Sequence, residues 1–257
     1  MSSRAEKRRD ARDGGSEMTK LYIVLGVVAV VALAAVGYSV GSGGGGSAAT
    51  EPVDVEGLDD METLIALAQG VSVGDDDAPI TIVEFGDYQC PGCGAFAMGV
   101  KPQVDLRLVQ SGRANFIFYD FPLTTIHPHA FLAARSARCA GDQDKYWEYH
   151  SEIFRNQSSW SPQASPIGAF VDYAETVGMD ADAFESCVRS DRHADVVTAN
   201  MRLGYELGVS GTPTVMVSQG QGMARRLPSN DFQTILGVVE SIEAELAGGA
   251  DTSGAGN

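Results

Sequence analysis

Residues 80–96, ITIVEFGDYQCPGCGAF, carry the strongest fold signal in the sequence: a predicted strand followed by two cysteines. Apolar and β-branched residues predict a strand over Ile80–Phe85, and Ala95–Gln110 has the pattern of a helix. Cys90 and Cys93 therefore lie at a strand-to-helix junction, where the N-terminus of a helix lowers the pKa of a thiol. Two thiols at this spacing reach one face of a helical turn, so the stretch predicts exchange between dithiol and disulfide.

The sequence that follows this stretch predicts a sheet interrupted by helices. Ala114–Asp120 predicts a second strand, whereas Thr214–Ser218 and Met223–Leu227 predict two more strands joined as a hairpin. Helix-start and helix-stop residues divide the stretch of about 126–208 into a series of helices. A last amphipathic helix covers Phe232–Leu246. A C-x-x-C motif in such a strand–helix–strand order indicates a thioredoxin-like α/β fold.

The N-terminal region contains a candidate membrane anchor. Leu21–Val40 has twenty residues without a charge, which as a helix span about 30 Å, the thickness of the bilayer hydrocarbon. Residues 1–20 hold six Lys and Arg, and the next basic residue is Lys101, so the positive-inside rule predicts a cytoplasmic N-terminus and an exported remainder. A cleavable signal peptide is the alternative, although twenty apolar residues exceed the usual signal core.

These patterns divide the chain into five predicted regions, and we expect a single-pass membrane protein whose catalytic domain faces the periplasm or the cell exterior. The helical insertion, at about 126–208, separates the second and third predicted strands. The regions are a basic cytoplasmic tail at 1–20, the transmembrane anchor at 21–40, a flexible Gly-rich and acidic linker at 41–57, a thioredoxin-like domain at 58–247 and a disordered tail at 248–257.

Charge and cysteine content are both consistent with an exported protein. After residue 20 the chain has 12 basic and 30 acidic residues, and this negative charge excludes nucleic acid as an expected partner. Disulfides persist outside the cytoplasm, and the cysteine count of four is even. Cys139 and Cys187 lack metal-ligand spacing and therefore predict a structural disulfide, with two unpaired buried cysteines as the alternative.

Four segments resemble one family, the DsbA-type thiol-disulfide oxidoreductases, particularly the membrane-tethered bacterial kind. They are FGDYQCPGCGAF at 85–96, DFPLTTIHPHA at 120–130, CAGDQDKYWEYH at 139–150 and GVSGTPTV at 208–215, and the resemblance extends over roughly 71–246. It implies a thioredoxin fold interrupted by a helical domain. It also implies that the protein forms disulfides in exported client proteins without a bound cofactor, and that a quinone-linked membrane protein reoxidises it.

The resemblance assigns roles to particular positions of this sequence. Cys90 matches the exposed attacking thiol, and Cys93 matches the buried resolving thiol. Thr212 and Pro213 match the cis-proline step beside the cysteines, where an extended client peptide would add main-chain hydrogen bonds. Glu84, six residues before Cys90, falls where the family has a buried acidic residue, which makes it a candidate proton relay to Cys93.

The residues alone leave alternatives open at several of these positions. Glu84 is also compatible with a strand edge that faces water, and Pro213 with an ordinary trans proline at the first residue of a strand. For Cys139 and Cys187, the resemblance implies the additional disulfide that some members close within the helical insertion. His127-Pro128-His129 invites a metal interpretation, but histidines around a proline in a turn more often face solvent or cap a helix, and we predict no metal site.

One residue departs from the family pattern. Gly92 stands where the best-known oxidases have histidine, which predicts a reduction potential above that of thioredoxin and below that of the strongest oxidases. The same residue keeps an envelope disulfide isomerase or reductase open as an alternative. A second alternative is a redox-inert module that binds proteins through the helical insertion, and substitution of Cys90 separates it from both enzyme hypotheses.

Overall fold

Five strands form one mixed sheet in the computed structural model, which describes residues 48–220 and 222–253. They are β1 (Val71–Val73), β2 (Ile80–Gly86), β3 (Asn115–Asp120), β4 (Thr214–Gln219) and β5 (Arg225–Arg226). Their order across the sheet is β1-β3-β2-β4-β5, with β2 parallel to β3 and the other neighbouring pairs antiparallel. The strand that precedes the cysteines is therefore central, with a hydrogen-bonded neighbour on each side.

The edge strand β1 is missing from the sequence-based prediction. It has only three residues and pairs antiparallel with β3, with Val71 opposite Phe118. So short a segment gives no alternation pattern of its own, and its pairing depends on the neighbouring strand. Because β1 precedes β2, the helical insertion separates the third and fourth strands rather than the second and third; the four predicted strands themselves are present.

Helices cover the sheet and fill the insertion, where α3 to α8 are found. Every residue of α3 from Ala130 to Ala140 is buried, so this helix forms the centre of the insertion. The helices are α1 (Met61–Leu67), α2 (residues 91–109), α3 (Ala130–Gly141), α4 (Tyr146–Arg155), α5 (Gln157–Trp160), α6 (Ile167–Thr176), α7 (Ala181–Arg189), α8 (Ala194–Glu206) and α9 (Phe232–Ser253).

Helix α2 includes the cysteine motif and is irregular along its length. It begins at Pro91 rather than at the predicted Ala95, because the ring of Pro91 fixes a helical φ at a position where no backbone donor is needed. Two α-helical segments, Pro91–Ala95 and Lys101–Val104, alternate with two π-helical ones, Phe96–Val100 and Asp105–Val109. Pro102 lacks a backbone N–H and lies just after the first π-helical segment, where the α-helical hydrogen-bond pattern is interrupted.

A disulfide joins α3 to α7 within the insertion. It links Cys139 to Cys187, which are 48 residues apart in sequence and have a Cα–Cα distance of 5.9 Å. Both cysteines are buried. The structure thus contains the bond that the sequence predicts for this pair, rather than two unpaired thiols.

Removing this disulfide is expected to lower the free energy of unfolding by about 4 kcal/mol. The cross-link closes a long loop and so reduces the conformational entropy of the unfolded chain. Urea unfolding of the double variant Cys139→Ala/Cys187→Ala under non-reducing conditions measures the loss. Thiol titration of the reduced variant should still find Cys90 and Cys93, and a loss below about 1 kcal/mol would contradict the prediction.

The predicted flexible linker at 41–57 is wrong over 48–57, which pack on the helical insertion. The carbonyl of Ala49 accepts a hydrogen bond of 2.8 Å from the guanidinium of the buried Arg135. The backbone N–H of Val53 donates to the Thr198 hydroxyl at 3.1 Å. Side chains of this segment also pack against the core. The prediction was based on the local content of glycine and acidic residues. It could not include the hydrogen bonds from Arg135 and to Thr198, which are distant in sequence.

The terminal predictions have mixed outcomes. Helix α9 continues to Ser253, so the tail predicted to be disordered from residue 248 begins too early; glycines there are accommodated within the helix. The basic tail at 1–20, the anchor at 21–40 and linker residues 41–47 lie outside the described residues. Among the helices of the described ranges, none combines the length and apolar character that crossing a bilayer requires.

Candidate active site

Cys90 occupies the N-terminal end of α2 and is the more accessible of the two free thiols. Its backbone is extended, with φ −72° and ψ 122°, and its carbonyl accepts the N–H of Gly94 at 3.1 Å, which closes the first helical turn. Cys90 is 9% exposed, whereas Cys93 is fully buried. Any reagent or client that enters the site therefore meets Cys90 first.

The surroundings of Cys90 stabilise its thiolate. The hydrogen bond from the Cys93 thiol is the largest influence and lowers the pKa of Cys90, to about 5. Burial opposes this shift, whereas the Thr212 side chain and the backbone N–H groups of Cys93 and Gly92 add to it. Cys90 is consequently ionised at pH 7 in the dithiol form. The thiolate is both the nucleophile and the leaving group in thiol-disulfide exchange.

Cys93 has the opposite character. Burial raises the pKa of the Cys93 thiol well above its ordinary value, and its hydrogen bond to Cys90 raises it further. The backbone N–H of Asp87, 3.4 Å from Cys93 Sγ, acts in the other direction. The dithiol therefore has one ionised and one protonated sulfur. This makes Cys90 the attacking thiol and Cys93 the resolving thiol.

A cis peptide bond joins Thr212 to Pro213 directly beside the cysteines. The carbonyl oxygen of Thr212 lies 3.4 Å from Cys90 Sγ. A Cβ atom added at Gly92 would lie 3.2 Å from Pro213 Cδ, so the proline loop packs closely on the cysteine motif. The trans alternative for Pro213 is wrong, and the loop lies where the family resemblance implies.

Glu84 is buried beneath the site, on the central strand β2. It is 0% exposed, so the alternative of a water-facing strand edge is wrong. Neither carboxylate oxygen of Glu84 has a hydrogen-bond partner among the described residues. Burial raises the pKa of Glu84 to about 8, Lys101 opposes the shift, and the charge of Cys90 adds to it. Glu84 thus holds a proton at pH 7. Where Glu84 is ionised, its negative charge raises the pKa of Cys93.

Gln157, in the helical insertion, supports the cysteine motif and was not predicted. Its side-chain amide donates to the carbonyl oxygens of Tyr88 and Cys90 at 2.8 and 2.9 Å. A Cβ atom at Gly94 would lie only 2.7 Å from Gln157 Oε1, so glycine at that position permits the close approach. The glycine after the second cysteine was the available sequence signal, but its partner lies more than sixty residues away.

The two histidines of His127-Pro128-His129 have separate protein partners. His127 Nδ1 lies 2.6 Å from the Asp87 carboxylate, which sequence reasoning also missed. His129 Nε2 pairs with the backbone carbonyl of Gln163 at 2.7 Å. The two rings therefore contact different parts of the protein.

Solved structures share the fold described above. α-DsbA1 from Wolbachia pipientis superposes with a TM-score of 0.62 at 20% identity, over 69% of this chain and 92% of that one. Oxidised BdbD from Bacillus subtilis gives a TM-score of 0.60 at 22% identity, over 76% of this chain and 97% of that one. These similarities show the thioredoxin fold with its helical insertion, as the sequence predicted.

Sequence comparisons assign the family. Part of the Na(+)/H(+) antiporter NhaA 1 from Salinispora arenicola is 35% identical over 164 residues, which are 63% of this chain and 24% of that protein. The chain thus spans about a quarter of the length of that relative. Disulfide bond formation protein D from Bacillus subtilis is 26% identical over 177 residues, 68% of this chain and 77% of the relative. Residues 67–236 match the sequence profile of the thioredoxin family. The chain therefore belongs to the thioredoxin family, in its DsbA-type form with a helical insertion.

Proposed function

We propose that this chain is an extracytoplasmic thiol-disulfide oxidoreductase that forms disulfides in exported proteins. The observation that carries the proposal is the asymmetry of the site: the pKa of Cys90 is about 5, whereas that of Cys93 is raised. Stabilising the thiolate of the reduced form makes the corresponding disulfide a better oxidant. The name of the Bacillus subtilis relative, disulfide bond formation protein D, supports the same activity.

Disulfide transfer proceeds by two thiolate attacks. A client thiolate attacks Cys90 Sγ of the Cys90–Cys93 disulfide, the S–S bond breaks, and Cys93 leaves as a thiolate that takes up a proton. A second client thiolate then attacks the client sulfur of the mixed disulfide and expels Cys90. The client gains one disulfide and the enzyme gains two electrons. The low pKa of Cys90 favours the second step because a stable thiolate leaves faster.

Client binding is assigned to the loop with the cis proline. Thr212 and Pro213 lie against the motif, with the Thr212 carbonyl close to Cys90 Sγ. An extended client segment that pairs with the Thr212 backbone would have its own cysteine near this sulfur. Main-chain pairing is insensitive to side-chain identity, which suits an enzyme with many clients.

The cycle requires a second partner and a location outside the cytoplasm. Each turnover leaves Cys90 and Cys93 reduced, so an oxidant must remove two electrons, and we assign this to a quinone-linked membrane protein. The uncharged segment Leu21–Val40 and the basic residues before it support a membrane anchor with the catalytic domain outside. Protease accessibility of the domain in intact cells and in lysed cells tests this orientation.

Oxidase activity and the alternative isomerase or reductase activity differ in the direction in which the enzyme and its client exchange electrons. Gly92, in place of histidine, favours a less oxidising site and so keeps isomerase or reductase activity as a second candidate. Oxidation of a reduced client and reduction of insulin, measured in parallel, separate these activities. A redox-inert binding module would show neither.

The reduction potential of the Cys90–Cys93 pair is expected to be about −220 mV. At pH 7 a thiol with a pKa near 5 stabilises the reduced form by ~2 kcal/mol more than a thiol with a pKa near 7, which corresponds to ~50 mV above the thioredoxin value of about −270 mV. Equilibration with glutathione buffers, read by the fraction of alkylatable Cys90, measures the potential. A value at or below about −270 mV would contradict the oxidase proposal.

A further inference from the structure

The carboxylate of Asp87 is buried and is bound by donors from three directions. Asp87 is 1% exposed and lies three residues before Cys90. Its Oδ1 accepts the backbone N–H of Gln89 at 2.7 Å. Its Oδ2 accepts the backbone N–H of Leu123 at 2.9 Å and faces His127 Nδ1 at 2.6 Å. This side chain therefore ties the segment before the cysteines to the loop that follows β3.

The backbone of the same residue contacts the resolving thiol. The Asp87 N–H points at Cys93 Sγ, 3.4 Å away, and it favours the ionised form of a thiol that burial otherwise keeps protonated. Cys93 must become a thiolate when it attacks a mixed disulfide at Cys90. A donor held toward that sulfur stabilises the charge as it develops.

Resting on the proposed function, we propose that Asp87 and His127 are positioning residues for the resolving step. The contact between His127 Nδ1 and Asp87 Oδ2 holds the Asp87 peptide so that its N–H stays directed at Cys93 Sγ. Neither side chain touches the reacting sulfurs, and Cys90 relies on other donors, namely the Cys93 thiol and the backbone N–H groups of Gly92 and Cys93. Loss of the contact should therefore slow the attack by Cys93 and leave the attack by Cys90 unchanged.

The geometry at the Asp87 carboxylate makes the choice of substitutions specific. Donors face both oxygens of Asp87, so the amide nitrogen of an asparagine would face the Gln89 N–H in one orientation and the Leu123 and His127 donors in the other. Asp87→Asn thus breaks the arrangement with almost no change in volume. His127→Ala removes one donor, whereas His127→Gln supplies an amide N–H in its place. His129→Ala is the matched control, because His129 Nε2 pairs with Gln163 and leaves Asp87 untouched.

The two sulfur attacks can be timed separately with the aromatic disulfide 5,5′-dithiobis(2-nitrobenzoate). In the first phase the Cys90 thiolate attacks the reagent and releases one thionitrobenzoate. In the second, Cys93 loses its proton and attacks Cys90 Sγ, which releases the second thionitrobenzoate and leaves the Cys90–Cys93 disulfide. The purified chain is first reduced mildly, so that mass spectrometry shows two free thiols and an intact Cys139–Cys187 disulfide.

We expect the second phase to slow about tenfold in Asp87→Asn and His127→Ala, the usual effect of losing a hydrogen bond to a charged group. The first phase should stay within about twofold of the unmodified chain. His127→Gln should recover much of the lost rate, and His129→Ala should match the unmodified chain in both phases. An unchanged second phase in His127→Ala, or equal slowing of both phases, overturns the inference. Absence of a rapid first phase in the unmodified chain would instead count against the proposed function.

Discussion

Replacing Cys90 with serine is expected to reduce disulfide transfer to the uncatalysed background. The attacking and leaving group is a thiolate, and a serine hydroxyl neither ionises near neutral pH nor forms a disulfide. The side chain is small and lies at the start of α2, where serine is a favourable helix cap, so the fold should persist. The measurement is oxidation of a reduced two-cysteine client by pre-oxidised enzyme, with thermal unfolding as the check on folding.

Cys93→Ala is the informative counterpart because it separates attack from resolution. The Cys90 thiolate still attacks a client disulfide, which forms a mixed disulfide and releases one client thiolate, but no second thiol of the enzyme can then attack Cys90 Sγ and release the client. Clients should therefore accumulate on Cys90 and migrate with the enzyme in non-reducing gels, and a dithiol reductant should release them. An unchanged phenotype in cells that carry Cys90→Ser would point to the redox-inert binding module, and the absence of adducts in Cys93→Ala would contradict the assigned roles.

The fold was predictable from sequence where the signal is local. Ile80–Phe85 is apolar and β-branched, and the cysteines follow it at the expected offset, so strand, motif and helix are all found near their predicted places. The ends of elements were less predictable. Helix α2 takes in the motif from Pro91, and β1 exists because β3 offers it an edge, which no property of three residues can show.

The site was predictable only for residues with distinctive chemistry. Cys90 and Cys93 are identified by their spacing, but Asp87 and His127 meet across forty positions of sequence. In the sequence, Asp87 has the surroundings of a solvent-exposed aspartate in a polar loop. Only the folded structure shows that it is buried. The same limit applies to residues 48–57, whose composition predicts flexibility although Arg135 and Thr198 bind their backbone.

Burial decides the protonation state of Glu84, whose orientation the sequence leaves open. Alternation along β2 leaves its orientation open, whereas the sheet places strands on both sides and covers the carboxyl completely. Without hydrogen-bond donors among the described residues, the carboxyl is more stable as the acid. A protonated Glu84 near neutral pH is a proton source, which is what the predicted relay to Cys93 would require.

The same burial predicts a stability that falls as the pH rises. The folded protein binds the Glu84 proton with a pKa of about 8, against 4.5 for an ordinary glutamate, so the folded state holds more protons between these values. The contribution is fully present below about pH 4.5 and is lost as the pH rises through about 8, a total of about 5 kcal/mol. In the oxidised enzyme Cys90 and Cys93 do not titrate. The contribution of the Cys90 charge to the Glu84 pKa is then absent, whereas burial, the largest cause of the shift, remains.

Urea unfolding of the oxidised enzyme and of Glu84→Gln, measured from pH 5 to pH 9, tests this prediction. The unmodified chain should lose several kcal/mol relative to Glu84→Gln over this range, because glutamine cannot ionise. Glu243→Gln is the matched control: the hydrogen bond from Arg113 lowers the pKa of the Glu243 carboxyl, so its titration is complete before the range begins. Parallel curves for the unmodified chain and Glu84→Gln would show that Glu84 is already ionised at pH 5, and a carboxylate in that state has no proton to give to Cys93.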